Sequence, residues 1–212
     1  IHGHAYPPIV EAVTEQLKRG TAYMMATETE VAYAEHLCSR SPGFDKMRFM
    51  NSGTEAIMVA IKAARAFTDR PRIVKIEGAY HGGYDYAEVS QTPKPEAWGS
   101  IDHPNSVPLA HGTPSSALDD VVVIPFNDVE RALAILESHS NDVAGVVLDL
   151  MPHRVGLNPV EDNFLQAIRN WTRHHGALLI CDEVITFRSA YGGLQMHYGV
   201  EADLTAMGKM IG

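Results

Sequence analysis

The sequence predicts an α/β protein with a mostly parallel β-sheet and helices on both faces of that sheet, a three-layer sandwich. Predicted strands and helices alternate along the chain, and the strands are nearly continuous apolar runs, as is typical of strands buried on both sides. The composition supports a substantial core, because 45% of the 212 residues are hydrophobic and only 20% are charged. No internal repeat or linker-like segment divides the chain.

Two helices are predicted first. Ile9, Val10, Val13 and Leu17 have helical spacing, and Gly20 ends that helix. A second helix is expected over residues 28–39, before a Pro-Gly turn. Both ends of the chain read as cuts, so we interpret it as part of a longer protein.

A short strand is predicted at residues 47–50, followed directly by a helix. Ser52 and Glu55 match the S-x-x-E capping box that begins helices. The small and branched apolar residues of this helix recur on one face, which predicts that this face is buried. The next strand is expected over residues 72–76.

The second half of the chain alternates strands and helices after an irregular stretch. Residues 91–118 are rich in Pro, Ser, Gly and His, and we expect a loop without regular structure there. The later elements are predicted as strands at 121–124, 143–150, 177–181 and 203–206 and helices at 129–139 and 163–175.

Composition excludes several classes of protein. A net charge of −9 without any basic run argues against nucleic acid as a partner. No apolar run is long enough to cross a membrane, and no signal peptide is visible. Two cysteines, Cys38 and Cys181, are too few for a disulfide scaffold and fit a reducing cytosol. The histidines lack metal-ligand spacing, so we expect no metal site.

The carboxyl ends of the predicted strands carry the polar residues that stand out. In open parallel sheets, ligands bind beyond these ends. Residues 51–52, 78–80, 150–151 and 182 each follow a predicted strand, so we expect them to meet at one edge of the sheet.

Ser52, Gly53 and Thr54 lie where a strand gives way to a helix. Free N–H groups, a partial positive charge and two hydroxyls could hold a phosphate there. The alternative is an ordinary capped helix. No P-loop lysine follows and no G-x-G-x-x-G motif is present, which disfavours a nucleotide site.

Asp182 ends an apolar strand, where a carboxylate is costly unless it is paired. A protonated pyridine nitrogen would be a suitable partner, and Val184 would point to the same side and could pack on a ring. An acid/base pair of Asp182 with Glu183 is disfavoured, since adjacent strand residues face opposite sides. Tyr80, after a glycine turn with His81, could stack on a flat ring or belong to the core or rim.

Lys209 follows Asp182 by 27 residues and has Gly208 and Gly212 nearby. A lysine near glycines is usually a surface residue. A carboxylate that holds a pyridine nitrogen protonated and a lysine that carries an aldehyde as a Schiff base are, however, what a pyridoxal 5'-phosphate site needs.

In this order, the motifs at residues 51–56, 78–83, 180–184 and 203–209 resemble those of class III pyridoxal-phosphate-dependent aminotransferases of fold type I. Within that class the chain is most similar to glutamate-1-semialdehyde 2,1-aminomutase-like proteins. The resemblance implies residues 1–45 as an N-terminal helical segment and residues 46–212 as the cofactor-binding large domain, truncated at both ends. It also implies a homodimer, and the reducing cytosol that the cysteines indicate makes the expected location cytoplasmic.

The resemblance assigns roles by position. It implies that Lys209 is the Schiff-base lysine, that Asp182 pairs with the pyridine nitrogen, and that Tyr80 and Val184 sandwich the ring. Residues 52–54 match the phosphate-binding turn, and His81 has a supporting role.

Some residues depart from the family pattern. Asp149 and Leu150 replace a common Glu-Pro, and Arg154 stands where the aminomutase usually has Asn. Arg154 could hold a substrate carboxylate with two hydrogen bonds. The alternative is a structural pairing of Arg154 with Asp149 or another acid.

The predicted function is transfer of an amino group to or from a small amino acid or amine. The alternatives are the glutamate-1-semialdehyde aminomutase reaction itself and a β-amino-acid or ω-amine transaminase. A need for a keto-acid acceptor would distinguish a transaminase from a mutase.

Overall fold

A computed structural model describes residues 2–211 of the chain and shows a five-stranded parallel sheet with the strand order β4-β1-β5-β6-β7. A separate two-stranded antiparallel hairpin is formed by β2 and β3. The strands are β1 (Arg72–Ile76), β2 (Gly99–Ser100), β3 (His103–Pro104), β4 (Val121–Ile124), β5 (Val143–Leu148), β6 (Leu178–Asp182) and β7 (Leu204–Ala206).

Long helices and single helical turns connect these strands. The α-helices are α1 (Pro7–Leu17), α2 (Glu28–Cys38), α3 (Gly53–Thr68), α4 (Asp85–Glu88), α5 (Ser115–Asp119), α6 (Val129–Glu137), α7 (Asp162–His175) and α8 (Leu194–His197). Short 3₁₀ turns occur at Pro95–Ala97, His153–Val155, Thr186–Ser189 and Lys209–Ile211.

Helices cover both faces of the main sheet, which confirms the predicted three-layer architecture. On one face, α3 packs its apolar side on β5, β6 and β7, with Ile57 and Ile61 among the buried residues. On the other face, α6 and α7 bury residues such as Leu136 and Phe164 against the sheet. Because the central strands are buried on both sides, their sequences read as continuous apolar runs.

The strand predicted at residues 47–50 is wrong. This segment has no regular secondary structure and pairs with no strand among the described residues, and a cavity of about 480 Å³ lies between it and β7. Apolar patterning alone does not make a strand, because a strand also needs a neighbour that accepts and donates its backbone hydrogen bonds.

The prediction of a wholly irregular segment over residues 91–118 is wrong in part. The segment contains the β2–β3 hairpin, a 3₁₀ turn and the short helix α5. Two-residue strands and single helical turns are too short to show the hydrophobic periodicity from which strands and helices are predicted. The single-turn helices α4 and α8 escaped prediction for the same reason.

The N-terminal helices lie apart from the sheet. α1 buries none of its residues, and Ile9, Val10, Val13 and Leu17 are each about half exposed. α2 begins with a complete capping box between Thr27 and Glu30. The division into a helical segment over 1–45 and a domain over 46–212 stays a prediction. Across residues 2–211, none of the helices has the length and apolar character that a membrane span requires.

Candidate active site

The carboxyl ends of β1, β5, β6 and β7 meet the start of α3 around a cavity of about 180 Å³. The expected convergence of the strand ends is confirmed for residues 51–52, 78–80 and 182, each of which contributes to the lining, but not for residues 150–151, in whose place Asp149 lines the cavity. Eight of the nine predicted site residues line the cavity, and Arg154 is the exception. The lining consists of Ser52, Gly53, Thr54, Tyr80, His81, Gly82, Asp149, His153, Asp182, Val184, Ile185 and Lys209.

The N-terminus of α3 forms one wall. Ser52 caps the helix, because its hydroxyl accepts a hydrogen bond from the N–H of Glu55 at 3.2 Å. The Glu55 carboxylate accepts from the N–H of Asn51 at 2.7 Å, not from Ser52, so the predicted capping box is only half formed. The first amides of α3 have no partners within the helix and give this wall a partial positive charge.

A glycine turn packs directly against this helix start. Gly82 has φ of +91°, and a Cβ there would lie 2.8 Å from the backbone Cα of Thr54. The Thr54 hydroxyl accepts a hydrogen bond from the N–H of Gly83 at 3.2 Å. Only glycine permits both this conformation and this approach, so the turn after Tyr80 and His81 is held against α3.

A buried histidine–carboxylate pair lies at the end of β6. Nδ1 of His81 is 2.8 Å from Oδ2 of Asp182, and Oδ1 of Asp182 accepts from the N–H of Val184 at 3.1 Å. Both side chains are buried. The other ring nitrogen of His81, Nε2, is buried and has no hydrogen-bond partner within the described chain. The histidine and the backbone N–H together fix the orientation of the Asp182 carboxylate at the end of β6.

Glu183 points to the opposite side, as expected for adjacent strand residues. Its fully buried carboxylate accepts hydrogen bonds from the N–H groups of Leu194 and Gln195, the Gln195 amide and the Thr186 hydroxyl. Glu183 therefore anchors the start of α8, and an acid/base pair of Asp182 with Glu183 is excluded.

Tyr80, Val184 and Lys209 border the cavity from three elements. Tyr80 is about one third exposed, and its ring meets His153 edge-on with 5.6 Å between ring centroids. Val184 packs so closely on α3 that a Cβ at Gly53 would lie 3.0 Å from its Cγ2. Lys209 follows β7 with φ of +55°, a left-handed conformation that is uncommon for a side-chain-bearing residue and is found at constrained functional positions.

Arg154 lies beside the cavity. It is exposed on the 3₁₀ turn His153–Val155, and its guanidinium carbon is 5.1 Å from the centroid of the Tyr80 ring. Among residues 2–211 it forms no ion pair with Asp149 or any other acid, so the structural pairing considered from the sequence is absent. Its carboxylate-binding role stays a prediction.

Asp149 is a cavity residue that sequence reasoning did not assign to the site. It is buried at the end of β5, and its Oδ1 accepts from the N–H of Met151 at 2.9 Å. Burial raises the pKa of Asp149 to about 6, the neighbouring Asp182 carboxylate adds to the increase, and His81 opposes it. Its position one residue beyond an apolar strand was the signal that could have identified it.

We expect Asp149→Asn to stabilise the protein more at pH 7.5 than at pH 5.0. The raised pKa means that the folded protein holds the Asp149 proton more tightly than the unfolded chain does. Folding is therefore penalised increasingly as pH rises from about 4 to about 6, and the neutral amide escapes that penalty. The gain in free energy of unfolding should be about 1 kcal/mol larger at pH 7.5. Urea-induced unfolding of both proteins measures it, and equal gains at the two pH values would contradict the raised pKa.

Across residues 2–211, no group of three or more His, Cys, Asp or Glu side chains is arranged to hold a metal ion. The polar groups of the cavity are a carboxylate paired with histidine, a second carboxyl, a lysine and helix amides. This set suits an organic ligand that carries an anion.

Comparison with known proteins identifies the family. The model of the family described as Aminotransferase class-III matches residues 1–212. The glutamate-1-semialdehyde 2,1-aminomutase of Thermodesulfovibrio yellowstonii is 41% identical over 213 residues, which cover 100% of this chain and 48% of that protein. The chain spans about half the length of the curated relatives it matches.

Solved structures show the same fold. An omega-transaminase from Sphaerobacter thermophilus superposes with a TM-score of 0.96 and 52% identity, covering 100% of this chain and 48% of that one. A transaminase with pyridoxal phosphate bound has a TM-score of 0.89 and 44% identity over 99% of this chain and 47% of that one. The chain described here therefore belongs to the class III aminotransferase family and has the α/β fold of its solved transaminases.

Proposed function

We propose that the protein binds pyridoxal 5'-phosphate in the cavity and transfers an amino group between a small amino acid or amine and a keto acid. One observation carries the proposal. The buried Asp182–His81 pair, Lys209 and the N-terminus of α3 border one cavity at the carboxyl edge of the sheet.

The residues present fit this cofactor. Asp182 uses one acceptor position on each oxygen and keeps lone pairs free for a ring N–H. The first amides of α3 suit a phosphate, and Gly53 keeps Val184 close to that turn. His81 and the Val184 N–H hold the Asp182 carboxylate in place at the cavity, which supports its assignment to the ring nitrogen.

Each residue then has a task that follows from its chemistry. When bound, pyridoxal phosphate supplies an electron sink for negative charge on the substrate carbon that bears the amine. Lys209 would hold the cofactor through its aldehyde carbon, and once the substrate amine had displaced it, its free amine would move a proton at the substrate carbon. Asp182, oriented by His81 and the Val184 N–H, would keep the pyridine nitrogen protonated.

The remaining wall residues bind and orient. We assign Tyr80 and Val184 to the two faces of the ring, and Ser52, Gly53 and Thr54 to the phosphate. The Ser52 and Thr54 hydroxyls accept hydrogen bonds from the N–H groups of Glu55 and Gly83, so their O–H donors remain free to bind a phosphate together with the backbone N–H groups.

Borohydride reduction followed by peptide mapping tests this proposal. The protein in its full natural length is incubated with pyridoxal phosphate, and its visible absorption is recorded before and after reduction. We expect an absorption band that reduction removes, with the cofactor mass fixed on Lys209. The absence of a band, or a label on Lys62 or another lysine, would contradict the proposal.

A second candidate is the aminomutase reaction, in which the amino group returns to a neighbouring carbon of the same molecule. The name of the relative from Thermodesulfovibrio yellowstonii favours it. The higher identity to the omega-transaminase, 52% against 41%, favours a transaminase. Turnover that requires pyruvate or 2-oxoglutarate establishes a transaminase, whereas turnover of glutamate-1-semialdehyde alone establishes a mutase.

We expect Arg154 to select substrates that carry a carboxylate. Its exposed guanidinium lies over Tyr80 at the cavity and has no acid partner within the described chain, so it is available for a substrate. Arg154→Ala should raise KM for amino acids roughly tenfold or more, the effect of losing a charge-assisted hydrogen bond, and leave KM for simple amines nearly unchanged. Steady-state kinetics with matched acid and amine substrates measure the difference.

Arg173→Ala is the matched control, because Arg173 is exposed in the last turn of α7, outside the cavity lining. It should alter neither KM. Equal increases for amino acids and amines in Arg154→Ala would mean that Arg154 only supports Tyr80.

We further propose a cytoplasmic homodimer. The half-exposed apolar side chains of α1 and the exposed Met24 and Met25 are apolar groups that a second copy would cover. Cys38 and Cys181 are both free thiols, as is usual in a reducing compartment. A monomer in sedimentation measurements at micromolar concentration would contradict the dimer, and export of the protein from the cytoplasm would contradict the location.

A further inference from the structure

β1 contains a lysine in a position where the fold calls for an apolar residue. Lys75 lies near the carboxyl end of the strand, between Val123 of β4 and Val147 of β5 in register, and is 1% exposed. Its neighbours in the strand are apolar and buried. A buried ammonium destabilises a fold unless all of its hydrogens are bonded, so its presence needs an explanation.

Three backbone carbonyls surround the ammonium. Nζ of Lys75 donates to the carbonyl oxygens of Ile76 at 3.3 Å, Ala79 at 3.0 Å and Val89 at 2.7 Å. An ammonium has three N–H donors, so its hydrogen-bonding capacity is complete. Burial nevertheless lowers the pKa of Lys75 to about 7, while the nearby Glu77 opposes that decrease.

These carbonyls belong to the two ends of one loop, residues 77–89, which leaves β1 and returns beside it. Ile76 is the last residue of β1, Ala79 directly precedes Tyr80, and Val89 follows the single-turn helix α4. A backbone hydrogen bond from the N–H of Gly78 to the carbonyl of Ser90, 2.8 Å long, joins the same two ends. The hydrogen bonds of Lys75 therefore tie the start of the loop 77–89 to its end.

The side chains that this loop presents to the cavity are Tyr80 and His81. The carbonyl of Ala79 that Lys75 holds is part of the peptide bond to Tyr80. We infer that Lys75 is a positioning residue, whose ammonium fixes the 77–89 loop so that Tyr80 and His81 stay in the cavity wall. The inference rests on the proposed function in one respect, namely that Tyr80 and His81 are assigned to the wall that holds the cofactor ring.

A variant without the ammonium should loosen this loop selectively. Lys75→Met keeps the length and apolar stem of the side chain but removes all three donors. We expect amide hydrogen exchange of residues 77–90 to become about tenfold faster in the cofactor-free protein, the consequence of lost hydrogen bonds. Exchange in β5 and β6 should stay as in the unmodified protein. The matched control is Ile73→Val, which removes one buried methylene-sized group from the same face of β1 and no hydrogen bond.

A second readout concerns the bound cofactor. Lys75→Met should weaken pyridoxal phosphate binding about tenfold and reduce the circular dichroism of the cofactor band, whereas Ile73→Val should change neither. Exchange that increases uniformly over the sheet, or a loop as protected as before, would overturn the inference. If Lys75→Met does not fold, Lys75→Arg provides the same comparison, because it keeps the charge but not the three-carbonyl geometry.

The two readouts separate this inference from the proposed function. Selective loosening of the loop in a protein that never binds pyridoxal phosphate would support the role of Lys75 in the loop and reject the cofactor. Cofactor binding that Lys75→Met leaves intact, with an unaltered loop, would reject the positioning role and keep the cofactor.

Discussion

Lys209→Ala is expected to lower kcat by at least about 10³-fold, since a positioned proton carrier contributes about 10²–10⁴-fold and the covalent attachment of the cofactor is lost as well. Lys209 borders the cavity directly after β7. Alanine and lysine both carry a Cβ, so the left-handed φ of +55° is about equally strained in the two proteins. Steady-state kinetics with an amino donor and a keto acid, together with the absorption spectrum, measure the loss.

Two further variants make this result specific. Lys62→Ala removes an exposed lysine from α3 and should leave kcat unchanged. Lys209→Arg keeps the positive charge but supplies a guanidinium that stays protonated, and we expect it to be as inactive as alanine. Activity retained in Lys209→Arg but lost in Lys209→Ala would show that the lysine only attracts an anionic ligand. Activity retained in Lys209→Ala would show that the reaction does not need the lysine.

Asp182→Asn is expected to lower kcat by roughly 10²–10³-fold, the size of effect seen when one preorganised electrostatic group is removed from an active site. The amide has the shape of the carboxylate but no charge, so it cannot keep a pyridine nitrogen protonated. It also cannot accept from both His81 and the Val184 N–H through its two terminal atoms, as Asp182 does. The His81 ring must then turn or change its tautomer.

The control for this prediction is Asp149→Asn, the same chemical change at the same cavity. Asp149 holds the N–H of Met151 and does not contact His81 through a hydrogen bond. We expect its kcat to stay within about tenfold of the unmodified enzyme at pH 7.5, since only an indirect electrostatic influence is lost. Equal losses in the two variants would show that the cavity requires negative charge in general and would reject a dedicated partner for the ring nitrogen.

Those elements of the fold that repeat a pattern could be predicted from the sequence. β1 and β4 were predicted with their observed bounds, and α7 within one residue at its start. Long apolar runs and full helical faces carry enough residues to define a period. Residues 47–50 have the same apolar character, but strand formation depends on a neighbour that no local pattern reports.

Most of the cavity lining could also be predicted from the sequence. The rule that ligands bind beyond the carboxyl ends of parallel strands depends on the topology of the sheet and not on side-chain detail. Asp149 escaped assignment because the sequence does not tell whether a carboxyl that follows a strand is buried or solvated. Lys75 escaped because its acceptors come from Ala79 and Val89, which the fold brings together. The hydrogen-bonded partnership of His81 with Asp182 spans 101 positions and likewise depends on the fold.

The position of Glu183 affects how sequence differences between family members near α8 should be interpreted. Its carboxylate is held at the start of α8, and a Cβ at Gly193 would lie 2.6 Å from its Oε1. Since Glu183 and Asp182 are consecutive in the chain, a displaced Glu183 would shift the acid on the cavity side. A substitution at Gly193, a buried glycine directly before α8, would therefore disturb the reaction from a distance, and family members with a side chain there should show compensating changes around α8.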